Sequence, residues 1–477
     1  MGRTYSLGTT KSTFDKNKIA KQAVFAIIVK IFSRMHIEQF YDDGLAHASY
    51  ALLENKEVWL VDPARDPQSY YDFADEHGAK IKGVIETHPH ADFVSSHLEI
   101  HHQTGATIYC SSLIEAEYPH EAIDQMDGIS LGEYGLRALP TPGHSPDSIC
   151  IVLNDGDGRD IAVFTGDTLF VGDVGRPDLR ENVGSLRAKA EELAVQLYHS
   201  LHEKLLTLDD EVVVYPAHGA GSLCGKNMSS ERSSTIGQER KSNYALQDMD
   251  ESAFVDMITA DQPFVPKYFP YDVALNKAGA DELESSLAAV VLFPLEAAEE
   301  EDCLLVDGRT AADFAQGHHP KAINLPDGPK FETWAGSIID PGESFYLLTD
   351  TEQEGRLLLR KLAKIGYEKQ VKGLVLHSSG KQASSPLPLQ DFKEHPEHYT
   401  ILDIRNDSEV KQGKLFANAI AIPLPRLRET VHLIPTDKAI VVHCAGGYRS
   451  AIGSSIIAQQ VQGVPVYDLS HHVNQFQ

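Results

Sequence analysis

Histidines and aspartates recur directly after apolar runs in the first half of the chain. The motif Thr87–Asp92 (Thr-His-Pro-His-Ala-Asp) follows one such run, and three later His or Asp residues each follow another. Imidazole nitrogens and carboxylate oxygens are ligands that suit Zn, Fe and Mn. If the runs are strands, loops at one edge of a sheet bring these side chains together. The pattern predicts a metal site with the following candidate ligands: His88, His90, Asp92, His144, Asp167 and His218.

A second reactive motif lies near the other end of the chain. Residues 444–449 read Cys-Ala-Gly-Gly-Tyr-Arg, between a strand-like run and the helix-like stretch Ser450–Val461. A turn of this kind aims backbone N–H groups inward, and the following helix adds its positive end. These donors favour a thiolate or an anionic persulfide. The candidate residues are the catalytic Cys444 and Arg449 and the substrate-binding Gly446, Gly447 and Tyr448.

Length, net charge and cysteine content limit the class of protein to which this chain can belong. A chain of 477 residues is too long for one core, so we expect two to four domains. The net charge of −27 excludes a nucleic-acid or anionic-membrane surface. Five scattered cysteines imply no disulfide framework and favour the cytoplasm. Base rates favour a homo-oligomer, although the sequence does not set its size.

Residues 1–34 differ from the rest of the chain. They carry seven Lys or Arg against one acidic residue, and their apolar run Val24–Val29 is too short to span a bilayer. No small-residue cleavage site follows that run, so a secretory signal is not indicated. We therefore expect a disordered or spurious extension before a start at Met35.

Residues 35–275 are rich in short apolar runs broken by Gly, Pro and Asp, which predicts a β-rich unit. The clearest helix is Leu186–Leu206, with a leucine stripe on one face. The predicted strands are Val58–Val61, Val84–Ile85, Thr107–Cys110, Leu136–Leu139, Ile149–Leu153, Ile161–Phe164 and Val212–Tyr215.

The last two hundred residues contain an internal repeat. Leu305–Arg309 parallels Leu402–Arg405, and Gly317 parallels Gly413 at the same offset. Each copy alternates strand and helix patterns, which predicts two small α/β units with parallel sheets, at 276–380 and 388–477. The Ser- and Pro-rich segment Ser378–Pro388 is the expected linker.

The first unit resembles the metallo-β-lactamase superfamily, through Thr87–Asp92 and the motifs that end in His144, Asp167 and His218. The resemblance implies an αββα sandwich with metal at one edge. In its hydrolases a histidine follows the motif and helps to bind a second metal, but here that position is Phe93. The branch that fits best is the persulfide dioxygenases.

That branch implies one Fe(II) per chain, with Zn(II) as the alternative. Its iron ligands correspond to His88, His144 and Asp167, a facial triad with open positions. The remaining candidates, His90, Asp92 and His218, would then orient the triad or form a weak secondary site.

The resemblance to the same branch implies roles for two further residues. Arg176 would contact the carboxylate of the thiol substrate, and the alternative is a structural pair with Asp178. Cys224, in the glycine-rich stretch Gly219–Gly225, would face the metal and carry a sulfane sulfur, or else be an inert buried thiol.

Both copies of the repeat resemble rhodanese domains, and the loop at Cys444 resembles the rhodanese active loop. The family implies that this cysteine accepts and donates sulfane sulfur. In the middle copy Thr349-Asp350 takes the place of Cys444-Ala445, without a glycine pair. The middle unit is therefore expected to be non-catalytic, as a spacer or docking surface.

Three functions remain open at this point. The first is an iron-dependent dioxygenase that oxidises a low-molecular-weight persulfide, of glutathione, coenzyme A or another thiol, to sulfite and thiol with O2. Cys444 would then supply persulfide or form thiosulfate. The second is a zinc thioester hydrolase of the glyoxalase II type, against which Phe93 counts. The third is a non-enzymatic sulfur carrier or sensor.

Overall fold

The computed structural model describes residues 35–180, 189–377 and 382–476. The predicted extension 1–34 lies outside these residues, as do residues 186–188 of the predicted helix and residues 378–381 of the predicted linker. No helix in the described part of the chain is both long enough and apolar enough to cross a membrane.

The first unit contains fourteen strands among the described residues. They are β1 His36–Asp42, β2 His47–Glu54, β3 Glu57–Val61, β4 Lys80–Ile85, β5 Thr107–Cys110, β6 Glu121–Ala122, β7 Ile129–Leu131, β8 Tyr134–Pro140, β9 Ile149–Asn154, β10 Asp160–Gly166, β11 Leu169–Phe170, β12 Asp173–Val174, β13 Val213–Pro216 and β14 Ser234–Thr235. Its helices are α1 Gln68–Glu76, α2 His97–Thr104, α3 Ala190–Glu203, α4 Ile236–Ser242, α5 Glu251–Thr259 and α6 Phe269–Ala278.

Two six-stranded sheets form the centre of this unit, in the orders β1-β2-β3-β4-β5-β6 and β14-β13-β10-β9-β8-β7. Alternation along β9 explains the layering, because Ile149 and Ile151 pack between the sheets, whereas Cys150 and Val152 pack outward against α3 and α5. On the opposite side, α1 and α2 cover the first sheet. The predicted αββα sandwich is confirmed, and so are the predicted strands to within a few residues.

The second unit follows α7 Leu283–Ala289 and α8 Leu295–Glu300. Its elements are β15 Leu304–Asp307, α9 Ala311–Gln316, β16 Ala322–Asn324, α10 Phe331–Ile338, β17 Phe345–Thr349, α11 Glu352–Ala363 and β18 Val371–Leu376. The third unit contains α12 Leu389–Glu394, β19 Tyr399–Asp403, α13 Asp407–Gln412, β20 Ile420–Ala421, α14 Leu424–Thr430, β21 Ala439–His443, α15 Tyr448–Gln460 and β22 Val466–Asp468.

The internal repeat is confirmed by matching parallel sheets, β16-β15-β17-β18 and β20-β19-β21-β22. The two copies even share one contact. Arg309 Nη2 donates to Asp307 at 2.6 Å and to the Gly317 carbonyl at 2.9 Å. Arg405 makes the same two contacts, at the same distances, with the corresponding residues of the third unit. Each arginine ties the end of the first parallel strand to the turn after the next helix.

The second unit packs directly on the motif loop of the first. The Val94 N–H, one residue after Phe93, donates to the Lys364 carbonyl at 2.8 Å. Buried Arg65 donates to Glu368 at 3.1 Å. Helix α6, which contains the predicted boundary at 275–276, packs between the two units. The middle repeat thus forms one wall behind the candidate metal loop.

Candidate functional site

Strand ends position the predicted metal ligands at one edge of the sandwich. β4 leads into the motif loop, β8 leads to His144, β10 to Asp167 and β13 to His218. β10 and β13 are parallel neighbours, so their carboxyl ends meet at the same edge. All six predicted ligands are buried, with at most 4% of any one exposed. The structure therefore brings the whole predicted set together.

Asp167 lies at the centre of this set. Its Oδ2 is 3.4 Å from His144 Nε2 and 3.8 Å from His88 Nε2. Neither Asp167 Oδ2 nor His88 Nε2 has a hydrogen-bond partner among the described residues, although both are buried. Ligand atoms about 2.1 Å from one ion lie about 3 to 4 Å apart, so Asp167 Oδ2 is spaced to share an ion with either imidazole. The sets of ligand atoms that include Asp167 and all lie within 4.8 Å of one another are those of His88, His90 and Asp167, and those of His144, Asp167 and Cys224.

The hydrogen bonds of His88 and His144 fix which ring nitrogen is free. Thr87 Oγ1 donates to Asp62 at 2.8 Å, and so accepts from His88 Nδ1 at 3.0 Å. His144 Nδ1 donates to the Arg176 carbonyl at 2.9 Å. In both rings the proton lies on Nδ1, which leaves the Nε2 lone pair directed toward Asp167. Burial lowers the pKa of both histidines, so both rings are neutral, as metal ligands must be.

His218 and His90 have a different environment. His218 Nδ1 lies 2.7 Å from Asp167 Oδ1, and its Nε2 lies 2.9 Å from Asp92 Oδ2. Burial alone would lower the pKa of His218, but Asp167 and Asp92 together raise it well above its usual range. His90 Nε2 is 3.2 Å from Asp62, and this carboxylate likewise raises the His90 pKa against the effect of burial. These two rings favour the protonated form, unlike His88 and His144.

Phe93 fills the position of the missing histidine. Its ring is 1% exposed and lies 4.3 Å from the His90 ring, centroid to centroid. It also packs on the His47 ring, at 3.8 Å between centroids. An apolar ring thus packs against the cluster at the position where the resemblance implies a histidine in the hydrolases.

Cys224 faces the same cluster. Its sulfur lies within 4.8 Å of ligand atoms of His144 and Asp167, and within the same distance of Asp92 and His218. Burial, reinforced by Asp92 and Asp167, raises the pKa of the thiol well above its usual range. The predicted position toward the metal pocket is therefore observed, with the sulfur in its protonated form.

Arg176 is 1% exposed and paired with Asp178, through Nε at 2.7 Å and Nη2 at 2.5 Å. Its remaining N–H groups face the carbonyls of Leu223, Pro263 and Phe264. The structural pair considered for this residue is thus present. Through its own carbonyl, the arginine also orients His144.

The loop at Cys444 places one backbone N–H against the cysteine sulfur at the start of a helix. The Gly447 N–H donates to Cys444 Sγ at 3.1 Å, directly before α15 begins. Gly447 has φ of +108°, and a Cβ there would lie 2.9 Å from the Ser470 carbonyl carbon, so only glycine fits. Apart from its two chain neighbours, no described residue has an atom within 4 Å of the position that a Cβ would take on Gly446, so the loop is open on that side.

Arg449 and Tyr448 anchor the same loop. Arg449 Nη1 and Nη2 donate to the two Glu409 oxygens at 2.6 and 2.8 Å. The guanidinium also lies 5.7 Å from the ring centre of Trp334, in the second unit. Tyr448 Oη donates to the Pro326 carbonyl at 2.7 Å. The loop therefore rests against the second unit, with its arginine already paired.

The middle repeat carries its own carboxylate where an anion would bind. Thr349 ends β17, and Thr351 caps α11 together with Glu354. Glu354 Oε2 accepts from the Thr351 N–H at 3.0 Å and from its hydroxyl at 2.9 Å. The helix start is thus filled from within the chain, in addition to lacking the cysteine.

Sequence reasoning missed several residues that shape the metal site. Asp62 follows β3 just as the predicted ligands follow other strands, so the same rule could have found it. His47, within β2, carried no local signal. Asn276, on α6, donates to the carbonyls of His90 and Phe93 at 2.8 and 2.7 Å, a contact across more than 180 residues.

Comparison with known proteins defines the class to which this fold and site belong. Residues 42–218 match the metallo-β-lactamase superfamily, and residues 295–375 and 388–477 each match the rhodanese-like domain. The chain therefore contains a domain of the metallo-β-lactamase superfamily, followed by two rhodanese-like domains.

Two curated relatives show which enzymes the first unit is similar to. The chain is 31% identical over 189 residues to the mitochondrial persulfide dioxygenase ETHE1 of Bos taurus, covering 38% of this chain and 65% of the relative. It is 33% identical over 174 residues to the cytoplasmic hydroxyacylglutathione hydrolase of Arabidopsis thaliana, covering 36% of this chain and 62% of the relative. The chain thus spans just under two thirds of the length of these curated relatives.

A solved structure matches a larger share of the chain. The crystal structure of a metallo-beta-lactamase from Staphylococcus aureus superposes with a TM-score of 0.63 at 30% identity. The match covers 72% of this chain and 99% of that one, so it extends beyond the first unit.

Proposed function

We propose that this protein oxidises a low-molecular-weight thiol persulfide with O2, and that its third unit transfers sulfane sulfur. The overall reaction is RSSH + O2 + H2O → RSH + H2SO3. The observation that carries the proposal is the pair of imidazoles, His88 and His144, whose Nδ1 protons are fixed by hydrogen bonds while each Nε2 faces Asp167. Two imidazoles and one carboxylate are the donor set of non-haem iron oxygenases.

In this proposal His88, His144 and Asp167 hold one Fe(II). When bound, the iron would supply redox chemistry with O2. Asp62 and the Arg176 carbonyl keep the two rings in the ligand tautomer. Phe93 excludes the imidazole that a second ion would need. His90, Asp92 and His218 form the surrounding hydrogen-bonding layer, and the Cys224 thiol lies against it.

In the third unit, Cys444 is proposed to carry the sulfane sulfur. Gly446 and Gly447 give the loop its open, donor-lined shape, and the Gly447 N–H already points at the sulfur. A persulfide on Cys444 would either supply the iron site or pass its outer sulfur to sulfite, forming thiosulfate and the free cysteine. Arg449 and Tyr448 hold the loop in place for this exchange.

We also propose a domain organisation, a location and substrates for the protein. We infer functional units at 35–275, 276–380 and 388–477, with the middle unit as a non-catalytic wall. A cytoplasmic location accords with the five cysteines, all of which are unpaired. The substrates are a persulfide and O2, and a homo-oligomer is expected from base rates alone.

The test is metal analysis combined with O2 uptake. Protein purified anaerobically and loaded with Fe(II) should hold one iron per chain. On addition of glutathione persulfide in air, it should consume one O2 and release one sulfite per persulfide. Absence of O2 uptake by fully iron-loaded protein, for persulfides of glutathione and of coenzyme A, would contradict the proposal.

The second candidate is a zinc thioester hydrolase, which the similarity to hydroxyacylglutathione hydrolase favours. Asp92 and His218 retain side chains that a second ion could use. Two zinc ions per chain and hydrolysis of S-lactoylglutathione would establish it. A non-catalytic sulfur carrier would instead load sulfur on Cys444 and show neither reaction.

A further inference from the structure

Lys330 reaches from the second unit onto the loop of the first unit that joins His218 to Cys224. The residue directly precedes α10, and its Nζ donates to the Gly221 carbonyl at 2.9 Å and lies 3.4 Å from the Gly44 carbonyl. Gly221 lies in the exposed part of the loop that connects His218 to Cys224. The ammonium therefore lies at the point where this loop meets solvent.

Among the described residues, no carboxylate oxygen lies within 4.0 Å of the Lys330 ammonium. The neighbouring cation Lys364, by contrast, is paired. Lys364 contacts Asp42 at 2.7 Å, in addition to a longer contact with Glu332. An ammonium has three N–H groups, and one short and one long carbonyl contact leave capacity for another acceptor.

The ligands expected here are anionic. The persulfides of the proposed function carry carboxylates or phosphates on the thiol part of the molecule. The metal cluster is rich in carboxylates. Burial lowers the pKa of Lys330, and the more distant carboxylates of Glu332, Asp92 and Asp42, in that order, act in the opposite direction. An anionic substrate approaching this cluster needs a cation at its entrance to offset the repulsion.

We propose that Lys330 binds a carboxylate of the thiol persulfide at the mouth of the metal site, so that the non-catalytic rhodanese-like unit completes the substrate pocket of the first unit. This inference rests on the proposed function for the identity of the substrate. It assigns the middle repeat a role in specificity beyond that of a spacer.

The test compares an acid ligand with its ester. S-methylglutathione, which cannot react, is titrated by calorimetry into the iron-loaded full chain, and its diethyl ester is titrated in parallel. The wild-type chain should bind the acid about tenfold or more tightly than the ester, since the bond to Lys330 is charge-assisted. Lys330→Gln should lose that preference, and Lys330→Arg should retain most of it.

The matched control is Lys372→Gln, an exposed lysine of the same unit that pairs with Glu301. It should bind both ligands as the wild type does. In O2-uptake assays Lys330→Gln should raise KM for glutathione persulfide by a similar factor and leave kcat near the wild-type value. Hydrogen exchange of α10 and of the loop at Gly221 checks that the two units stay docked.

The outcomes separate the two proposals. A wild-type chain that binds acid and ester equally, or a Lys330→Gln chain that keeps the preference, overturns this inference. Normal discrimination in binding without O2 uptake from any persulfide overturns the dioxygenase proposal and leaves the role of Lys330 as an anion-binding residue intact.

Discussion

The ring of Phe93 packs on the ring of His47, with centroids 3.8 Å apart and planes inclined by 32°. Both side chains are buried, and His47 lies 5.5 Å from the His218 ring and 5.9 Å from the His90 ring. Burial lowers the pKa of His47 well below its usual range. The packed rings of Phe93 and His47 therefore border the cluster next to His90 and His218, and we expect this contact to limit the number of ions that the site holds.

Replacing Phe93 with histidine should restore a second metal site. The new imidazole would lie beside Asp92 and His218, the two side chains that remain for such a site. We expect Phe93→His to bind close to two zinc ions per chain, where the wild type binds one metal, as measured by mass spectrometry of the metal content. O2 uptake with glutathione persulfide should fall at the same time.

Phe93→Leu separates the effect of a new ligand from that of a lost ring. It removes the contact with His47 without adding a donor, so the metal content should stay at one. The smaller side chain should lower the free energy of unfolding by about 1 to 3 kcal/mol. If Phe93→His also holds only one ion, the phenylalanine does not set the stoichiometry.

The two-oxygen pairing of Arg449 with Glu409 predicts that lysine cannot replace this arginine. A lysine would lose the fork that meets both carboxylate oxygens and would release the loop around Cys444. We expect Arg449→Lys to slow sulfur transfer to cyanide or sulfite more than tenfold and to leave O2 uptake with added persulfide unchanged. Arg426→Lys, at an exposed pair with Asp407, is the control and should leave both rates unaltered.

Arg176 offers a test between its two suggested roles. Because the guanidinium is buried and bonded to Asp178 and to three carbonyls, Arg176→Lys should lower the free energy of unfolding by about 2 to 4 kcal/mol. It should also weaken iron binding, since the backbone at this residue orients His144. An unchanged unfolding midpoint together with a raised KM would instead indicate that Arg176 contacts the substrate.

Much of the fold could be predicted from sequence because its signals are local. Strand periodicity located β5 and β9, and the paired Asp-Arg sequences in the two copies revealed the repeat. The candidate metal ligands can be predicted because they lie in loops that directly follow strands. These features depend on residues close together in the chain.

The remaining features depend on packing between distant segments. The contact of Val94 with Lys364 joins residues 270 positions apart, and no local pattern marks either of them. Lys330 near Gly221 is a similar case. The sequence offers Asp178 as one of two alternative partners of Arg176, because the two residues are close in the chain. Only the structure shows that Arg176 is buried.

Replacing Thr349 with cysteine should not make the middle repeat reactive. The Glu354 carboxylate already bonds the Thr351 N–H at the start of α11, and it would repel an anionic persulfide there. In a Cys444→Ser background, Thr349→Cys should show no sulfane sulfur by cyanolysis after incubation with persulfide. Adding Glu354→Gln should not rescue it, because the glycine pair of the Cys444 loop is also missing. Rapid loading of Thr349→Cys would refute this account.

The carboxyl of Asp468, at the end of β22 behind the Cys444 loop, should make the stability of the third unit depend on pH. Burial raises the pKa of Asp468 to about 6, against the opposing effect of its hydrogen bonds with Ser450 and Ser470. A carboxyl whose pKa is higher in the folded state than in the unfolded state stabilises the fold only while it is protonated. The third unit should therefore lose about 1 to 3 kcal/mol of stability as the pH rises from about 4 to 6.

Asp468→Asn should abolish this loss and protect α15 from hydrogen exchange at pH 7 relative to the wild type, whereas the exposed Asp437→Asn should not. Equal protection of the wild type and Asp468→Asn at pH 7 would show that the carboxyl titrates in the folded state as it does in the unfolded state.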